Sequence, residues 1–306
     1  MNSFKIKATG KYVPKKIVYN KILEEENNLE KGYIYKRTGI EKRFYSNEET
    51  LEDLAVNAIK DMLAKYKDVN VYDIDMIIVA STSYTNIMPS LSFKIQKYFE
   101  IKDCICMDIL AGCSGYINAI DVAQKYIKTS CVKNAIVIGA DILSRNNYED
   151  INTKMLFGDG AGVIYFEKSD LPKKYFCKIC SYEDKDNILS CNMNHDLYMR
   201  GKEVYRFATT KTIENLNEVL DIGNTKIEEV KFVIPHQSNI RIIEKISKKT
   251  NARMYTNISE YGNIFCASIP IAIDELFSSK AICEEDKIIL LGYGGGLNLG
   301  SILMEV

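Results

Sequence analysis

The chain has 306 residues, of which 46% are hydrophobic and 26% charged, the balance of an ordinary globular protein. Its 40 Lys and Arg residues against 41 Asp and Glu residues exclude the strongly charged classes, such as nonspecific nucleic-acid binders. No run of 18 apolar residues predicts a membrane-spanning helix, and the first 16 residues lack the apolar core of a secretory signal. The nine cysteines follow no regular disulfide spacing, so we expect free thiols and a cytoplasmic location. From the balanced charge and the lack of a long apolar run we expect no nucleic-acid or membrane partner.

Apolar strand patterns alternate with helical patterns along the chain. The predicted strands cover residues 73–80, 104–110, 134–140, 174–182, 230–235, 287–292 and 300–305. The predicted helices cover residues 114–128, 239–249 and 266–279. Because the strands are apolar along nearly their whole length, they predict α/β halves with mostly parallel sheets covered by helices.

The chain repeats itself at about half its own length. Residues 113–121 have the sequence CSGYINAID and residues 266–274 the sequence CASIPIAID, so each segment places an aspartate eight residues after its cysteine. A period this long indicates a duplicated domain rather than a solenoid of small repeats. We therefore expect two halves, residues 1–168 and 169–306, packed about a pseudo-twofold axis.

Cys113 lies where a predicted strand ends and a helix begins, with small residues on both sides (AGCSG). Such a turn presents the side chain at a helix N-terminus, where the helix dipole and unpaired N–H groups favour the nucleophilic thiolate. A buried structural cysteine is the alternative, since free cysteines are usually buried. On the residues alone both interpretations remain open.

His236 is one of only two histidines, the other being His195. It directly follows the strand predicted at 230–235, and strand ends in α/β folds face the ligand crevice. A histidine that caps a helix or fills the core is the alternative, but the repeat places this strand end near the pseudo-axis and favours catalysis. Asn263, in the segment YGN, is by itself typical of a turn.

Two further patterns point to binding without settling it. Cys177, Cys180, Cys191 and His195 have a spacing seen in zinc sites, but a strand over 174–182 places Cys177 and Cys180 on opposite faces, so we predict no metal site. The second pattern is a basic helix face next to His236. This face either is solvated or docks an acidic partner, and its residues are Arg241, Lys245, Lys248 and Lys249.

Taken together, six motifs in chain order resemble β-ketoacyl-acyl-carrier-protein synthase III, within the thiolase superfamily. The motifs lie at residues 36–40, 112–116, 157–162, 235–241, 261–263 with 267–268, and 294–296. The resemblance implies a thiolase fold, in which two halves with mostly parallel five-stranded sheets and buried helices form an αβαβα layering. It also implies a homodimer.

The resemblance further implies a decarboxylative condensation. Cys113 would take an acyl group from a thioester while the backbone N–H groups of Cys113 and Gly295 hold the oxyanion. His236 and Asn263 would bind the oxygen of a malonyl thioester carried by an acyl carrier protein. Acyl-coenzyme A or an acyl carrier would supply the acyl group, and no cofactor or metal is implied.

Substrate contacts also follow from the resemblance. The implied substrate-binding residues are Arg37, Tyr33, Met88, Gly201, Asn239 and Tyr293. The chain departs from the family pattern where Tyr33 replaces a tryptophan that stacks on the adenine of coenzyme A, where Ile151 replaces an arginine, and where Lys202 replaces an asparagine. These departures favour a carrier-bound donor. Met88, which the pattern places as a gate across the dimer interface, and Ile264-Phe265-Cys266 after Asn263 suggest an unusual acyl group or a specialised-metabolite pathway.

Two other functions fit the same sequence. An enzyme with the same acyl-cysteine can transfer the acyl group to oxygen, nitrogen or sulfur without condensation. A non-catalytic subunit of a condensing complex is the third possibility. Asn263 beside His236 favours decarboxylation over simple transfer, and an intact set of Cys113, His236 and Asn263 argues against a non-catalytic subunit.

Overall fold

The computed structural model describes residues 3–129, 131–192 and 194–306. The strands are β1 Ser3–Tyr12, β2 Lys16–Tyr19, β3 Lys42–Tyr45, β4 Met76–Ala80, β5 Ile105–Ile109, β6 Asn134–Asp141, β7 Asn147–Tyr148, β8 Gly160–Ser169, β9 Tyr175–Ser181, β10 Leu189–Cys191, β11 Asp196–Met199, β12 Val230–Pro235, β13 Lys287–Gly294 and β14 Asn298–Glu305. The helices are α1 Asn20–Glu26, α2 Tyr33–Thr38, α3 Leu51–Lys65, α4 Leu91–Tyr98, α5 Gly115–Thr129, α6 Ile151–Lys154, α7 Gly201–Ile222, α8 Ile240–Thr250, α9 Ile258–Tyr261 and α10 Ser268–Ser278. Every strand and helix predicted above has a counterpart whose ends lie within three residues of the prediction.

Two sheets form the framework. The first has five strands in the order β1-β8-β6-β4-β5, and the second has four in the order β12-β13-β14-β9. Only the pairs β4–β5 and β4–β6 in the first sheet and β12–β13 in the second are parallel. The prediction of mostly parallel five-stranded sheets is therefore wrong in strand direction for both sheets and in strand number for the second.

The physical reason for this error is burial on both faces of each sheet. Strands β8 and β14 run antiparallel to both of their neighbours, yet both are buried along most of their length. Layers above and below make a strand apolar throughout whichever way it runs, so the apolar pattern does not report strand direction.

Helices α5 and α10 lie between the two sheets and share one core with them. Helices α3 and α4 cover the outer face of the first sheet, and α7 and α8 cover the outer face of the second. This confirms the expected αβαβα layering. A 3₁₀ turn precedes each central helix, at Gly112–Ser114 and at Phe265–Ala267, which agrees with the internal repeat. The boundary between residues 168 and 169 stays a prediction.

Among the described residues, no helix combines the length and the apolar character needed to cross a membrane.

Candidate active site

Cys113 sits in the 3₁₀ turn between β5 and α5 and is only 4% exposed. Two glycines allow the loop after β13 to approach this turn closely. A Cβ on Gly294 would lie 2.8 Å from the Cβ of Cys113, and one on Gly112, whose φ is +57°, would lie 2.8 Å from the carbonyl oxygen of Gly295. Only glycine fits these contacts, so the glycine-rich loop is built against the candidate nucleophile.

Burial raises the pKa of the Cys113 thiol, and the nearby carboxylate of Asp141 raises this pKa further. The backbone N–H groups of Cys113 and Gly295 act in the opposite direction, because they hydrogen-bond to the sulfur. Desolvation outweighs these N–H groups, so the resting side chain is a protonated thiol at neutral pH. The N–H groups thus favour the thiolate, as expected for a turn at a helix N-terminus, but burial has the larger effect on the resting side chain.

His236 follows β12 and is buried, with its N–H donating to the carbonyl of Leu291 at 2.7 Å. Its Nδ1 lies 2.8 Å from the Oγ of Ser268, a hydroxyl that also lies 2.9 Å from the carbonyl of Phe265. Burial lowers the pKa of His236 to about 3, against a smaller opposing effect of the Phe265 carbonyl. The imidazole is therefore neutral at neutral pH and able to act as an uncharged hydrogen-bond donor.

Asn263 is held by its backbone against the loop that precedes β8. Its N–H donates to Leu156 at 2.8 Å, and its carbonyl accepts from Gly158 at 3.0 Å. The side-chain Oδ1 accepts the N–H of Phe265 at 3.1 Å. This bond fixes the orientation of the amide and leaves Nδ2 as a donor without a partner among the described residues. Asn263 thus lies in an isolated β-bridge with Phe157 rather than in the turn predicted for it, and it presents an amide donor of fixed orientation.

The three side chains line one cavity of about 380 Å³. Four of the expected substrate-binding residues line it as well: Arg37, Gly201, Asn239 and Tyr293. The ring of Tyr293 packs edge-on against the ring of His236, with centroids 5.5 Å apart, and its hydroxyl lies 2.7 Å from the Oγ of Ser238. These contacts keep the His236 wall of the cavity in place.

Two expected substrate-binding residues lie outside the lining of this cavity. Tyr33 stacks beneath Arg37, whose Cζ is 3.7 Å from the ring centroid, and its hydroxyl donates to Asn152 at 2.9 Å. Met88 is 85% exposed. Gly295 and Cys113 together line a second cavity of about 670 Å³, on which His195 and Leu110 also lie.

The basic face of α8 is exposed at all four of its predicted positions. Arg241 lies at the cavity and donates from Nη2 to the carbonyl of Lys36 at 2.7 Å. Within the part of the chain that the structure describes, Lys245, Lys248 and Lys249 form no ion pair.

The cysteines of the zinc-like spacing diverge as expected. Cys177 packs in the core between the two sheets and Cys180 in the outer core of the second sheet. No group of three or more possible metal-ligating His, Cys, Asp or Glu side chains occurs in residues 3–129, 131–192 and 194–306.

Sequence reasoning gave no supporting role to three residues that hold the site together: Ser268, Phe265 and Asp141. Ser268 contacts His236, Phe265 links its N–H to Asn263, and Asp141 accepts the N–H of Cys266 at 3.0 Å. Asp141 ends β6, the type of position used to select His236, so the same reasoning applied to every strand end would have marked it.

Comparison with known proteins points to one family. A family model described as 3-oxoacyl-[acyl-carrier-protein (ACP)] synthase III matches residues 107–184, and the model of its C terminal part matches residues 220–306. The β-ketoacyl-[acyl-carrier-protein] synthase III of Clostridium novyi is 35% identical over 323 residues, which cover 100% of this chain and 99% of that protein. That of Clostridium acetobutylicum is also 35% identical, over 100% of this chain and 99% of its own length.

Solved structures agree with this result. The 3-oxoacyl-[acyl-carrier-protein] synthase III of Aquifex aeolicus superposes with a TM-score of 0.94 at 34% identity, covering 99% of this chain and 100% of that one. The synthase III of Thermus thermophilus superposes with a TM-score of 0.93 at 28% identity, covering 98% of each chain. With this identity along its full length, the chain belongs to the β-ketoacyl-acyl-carrier-protein synthase III family of condensing enzymes.

Proposed function

We propose that this protein is an acyltransferase that condenses an acyl thioester with a malonyl group on an acyl carrier protein, through an acyl-Cys113 intermediate. The observation that carries the proposal is the meeting of Cys113, His236 and Asn263 on one cavity. The reaction needs no metal and no redox cofactor, because a nucleophile and oriented donors are sufficient for acyl transfer and decarboxylation.

In the first half-reaction the sulfur of Cys113 attacks the acyl carbonyl. The N–H groups of Cys113 and Gly295, which point at this sulfur, stabilise the negative charge that develops on the carbonyl oxygen. The bond between the acyl carbon and the donor sulfur then breaks. The departing thiol takes the proton that Cys113 loses, so the acyl-enzyme is formed without a change in net charge.

In the second half-reaction the malonyl group loses carbon dioxide and its thioester oxygen becomes an enolate oxygen. Negative charge therefore moves toward this oxygen in the transition state, where hydrogen-bond donors act most strongly. Asn263 offers Nδ2. Neutral His236 offers Nε2–H in the tautomer whose Nδ1 accepts from the hydroxyl of Ser268, which then gives up its bond to the carbonyl of Phe265. The enolate carbon then attacks the acyl carbon and the bond from that carbon to the sulfur of Cys113 breaks. Cys113 leaves as a thiolate and takes one proton from solvent to return to the resting thiol.

We propose a carrier-bound acyl donor for the first half-reaction. In this chain the guanidinium of Arg37 covers one face of the Tyr33 ring, and Tyr33 is also tied to Asn152. With Ile151 in place of an arginine, little remains to hold the adenine of coenzyme A. A donor that brings its own protein contacts does not need an adenine site.

We also propose a homodimer, because large apolar side chains are exposed beside the second cavity. Ile87 is 83% exposed, Met88 85% and Leu110 81%, whereas a soluble monomer seldom exposes such side chains together. Both Ile87 and Leu110 line the second cavity next to Cys113. A second copy that covers this surface would bring Met88 of the partner subunit to the acyl side of the site.

The condensation itself is tested with an acyl thioester and malonyl carrier protein. We expect the protein to gain the mass of the acyl group at Cys113 and then to release carbon dioxide and a 3-ketoacyl carrier, measured by mass spectrometry. An acyl-enzyme that passes its group to another acceptor without releasing carbon dioxide would instead favour simple transfer. Failure to form any acyl-enzyme from a panel of coenzyme A and carrier thioesters would favour a non-catalytic subunit.

The basic face of α8 is expected to bind the acidic carrier protein. Reversing Arg241 and Lys248 to Glu should raise the Michaelis constant for malonyl carrier and leave acylation of Cys113 by a small thioester unchanged. The effect should weaken as salt rises, because charges are screened over about 10 Å at 0.1 M ionic strength. Steady-state kinetics at two salt concentrations measure both changes.

Two controls separate docking from other effects. Since Arg241 also contacts the carbonyl of Lys36, Lys248→Glu alone tests charge without loss of that contact. Lys128→Glu with Lys226→Glu makes the same change of charge in the last turn of α5 and in the loop after α7, and it should leave the Michaelis constant unaltered. An unchanged constant in the α8 variant at low salt would show that this face is only solvated.

A further inference from the structure

Asp141 is a fully buried carboxylate that joins the two halves of the protein beside the candidate site. Its Oδ1 accepts the N–H groups of Thr82 at 2.8 Å and Ser83 at 3.1 Å, together with the hydroxyls of both residues. Its Oδ2 accepts the N–H of Cys266 at 3.0 Å. Oδ1 thus holds the loop after β4, whereas Oδ2 holds the turn that precedes α10.

Cys266 is fixed at three of its groups. Besides the N–H bound by Asp141, its carbonyl lies so close to Gly139 that a Cβ on Gly139 would be 2.1 Å from the oxygen. Its thiol donates to the carbonyl of Gly112 at 3.2 Å, next to the candidate nucleophile. The turn therefore has little freedom to shift along β6 while Asp141 is in place.

The same turn carries the contacts of both candidate oxyanion donors for decarboxylation. Phe265 donates its N–H to Oδ1 of Asn263, and Ser268 places its hydroxyl 2.8 Å from Nδ1 of His236. Phe265 also has a φ of +29°, a strained value for a residue with a side chain, so the turn depends on outside contacts to keep its shape.

We propose that Asp141 is a positioning residue that holds the turn at 265–268 in place, and through it orients Asn263 and His236 for the decarboxylation step. Its charge has a second and opposite consequence at Cys113, where a carboxylate disfavours the thiolate. Other titratable groups around Cys113 are Cys266, Tyr293 and His236, and Asp141 also faces Cys191. Only the effect on decarboxylation rests on the proposed function; the effect on the reactivity of Cys113 does not.

Asp141→Asn tests both consequences at once, because it keeps the size of the side chain and removes its charge. One oxygen becomes an N–H₂ group that cannot accept from a backbone N–H, so one of the two connections is lost. We expect malonyl decarboxylation to fall at least about tenfold, while acylation of Cys113 stays equal or becomes faster. Alkylation of Cys113 by iodoacetamide at constant pH, followed on its own peptide, should become at least about threefold faster.

Asp141→Glu separates geometry from charge. The extra methylene has no free space at a fully buried site and displaces the turn, so decarboxylation should fall. The charge is retained, so the alkylation rate of Cys113 should stay near that of the wild type.

Asp274→Asn is the matched control. Asp274 is also buried and also links the halves, through Thr9 and Lys65, but it has no contact with the turn at 265–268 among its hydrogen bonds in the described chain. The Asp274→Asn substitution should lower the melting temperature. It should not slow decarboxylation more than acylation, and it should leave the alkylation rate of Cys113 unchanged.

A double-mutant cycle that combines Asp141→Asn with Ser268→Ala tests whether Asp141 acts through the turn at 265–268. If it does, the loss of decarboxylation in the double variant should be smaller than the product of the two single losses. If the two losses multiply, or if Asp141→Asn slows both half-reactions equally, the positioning role is overturned. Unchanged alkylation of Cys113 would overturn the charge effect. A wild-type protein that never decarboxylates malonyl thioesters would instead contradict the proposed function, and the alkylation measurements would still test the effect of Asp141 on Cys113.

Discussion

Replacing Cys113 by alanine is expected to abolish formation of the acyl-enzyme. The sulfur is the atom that becomes bonded to the acyl carbon, and the N–H groups of Cys113 and Gly295 are directed at it. No other group in the cavity combines a nucleophilic atom with this pair of donors among the described residues. Mass spectrometry of the intact protein after incubation with an acyl thioester measures the result, which should fall from one acyl group per chain to none.

Cys266→Ala is the matched control for this experiment. Cys266 is the cysteine at the equivalent position of the internal repeat, it is buried to the same degree, and it also lies in a 3₁₀ turn before a central helix. Its thiol donates to the carbonyl of Gly112, so its removal costs one hydrogen bond and no reacting atom. Acylation should be largely kept in this variant. An acyl mass on the Cys113→Ala protein would show that the nucleophile has been assigned to the wrong residue.

The elements around the site could be predicted because their patterns are local. The strand before His236 and the helix after Cys113 each have one period of hydrophobicity and a clear end, and both occur within a residue of the predicted bounds. The direction of β8 and β14 depends on which strand each one meets across the sheet, and a pattern of apolar residues along one strand carries no information about its neighbour.

The candidate site divides in the same way. Cys113 and His236 stand at junctions of strand and helix, which sequence patterns reveal, and Asn263 was assigned through its motif. The support of these residues by Ser268 and Asp141 joins positions far apart in the chain, including a bond between residues 141 and 266. The effect of burial on the pKa of Cys113 could not be predicted for a related reason, since this burial depends on both halves packing over the side chain and not on the helix that follows.

Substitution of His236 or Asn263 by alanine is expected to stop the second half-reaction and spare the first. Each change removes one donor from the oxygen that gains negative charge, and the loss of one such donor lowers the rate roughly 100-fold or more. Acylation of Cys113 uses the N–H groups of Cys113 and Gly295 and should continue. The measurements are acyl-enzyme mass for the first half-reaction and release of carbon dioxide from malonyl carrier for the second.

Further variants and a change of pH test the chemical role of each side chain more specifically than alanine substitution does. Asn263→Asp replaces the Nδ2 donor by an oxygen that repels the enolate, so decarboxylation should be at least as slow as in Asn263→Ala. Asn215→Ala is the control. It removes an equally buried amide that bonds Ser301 and the carbonyl of Lys178 on the far side of the second sheet, and it should leave both half-reactions intact at temperatures where the protein is folded.

Because burial lowers the pKa of His236 to about 3, protonation of its imidazole should not change the rate of decarboxylation between pH 8 and about pH 5. Normal condensation in either alanine variant would remove His236 or Asn263 from the step and favour transfer of the acyl group without decarboxylation.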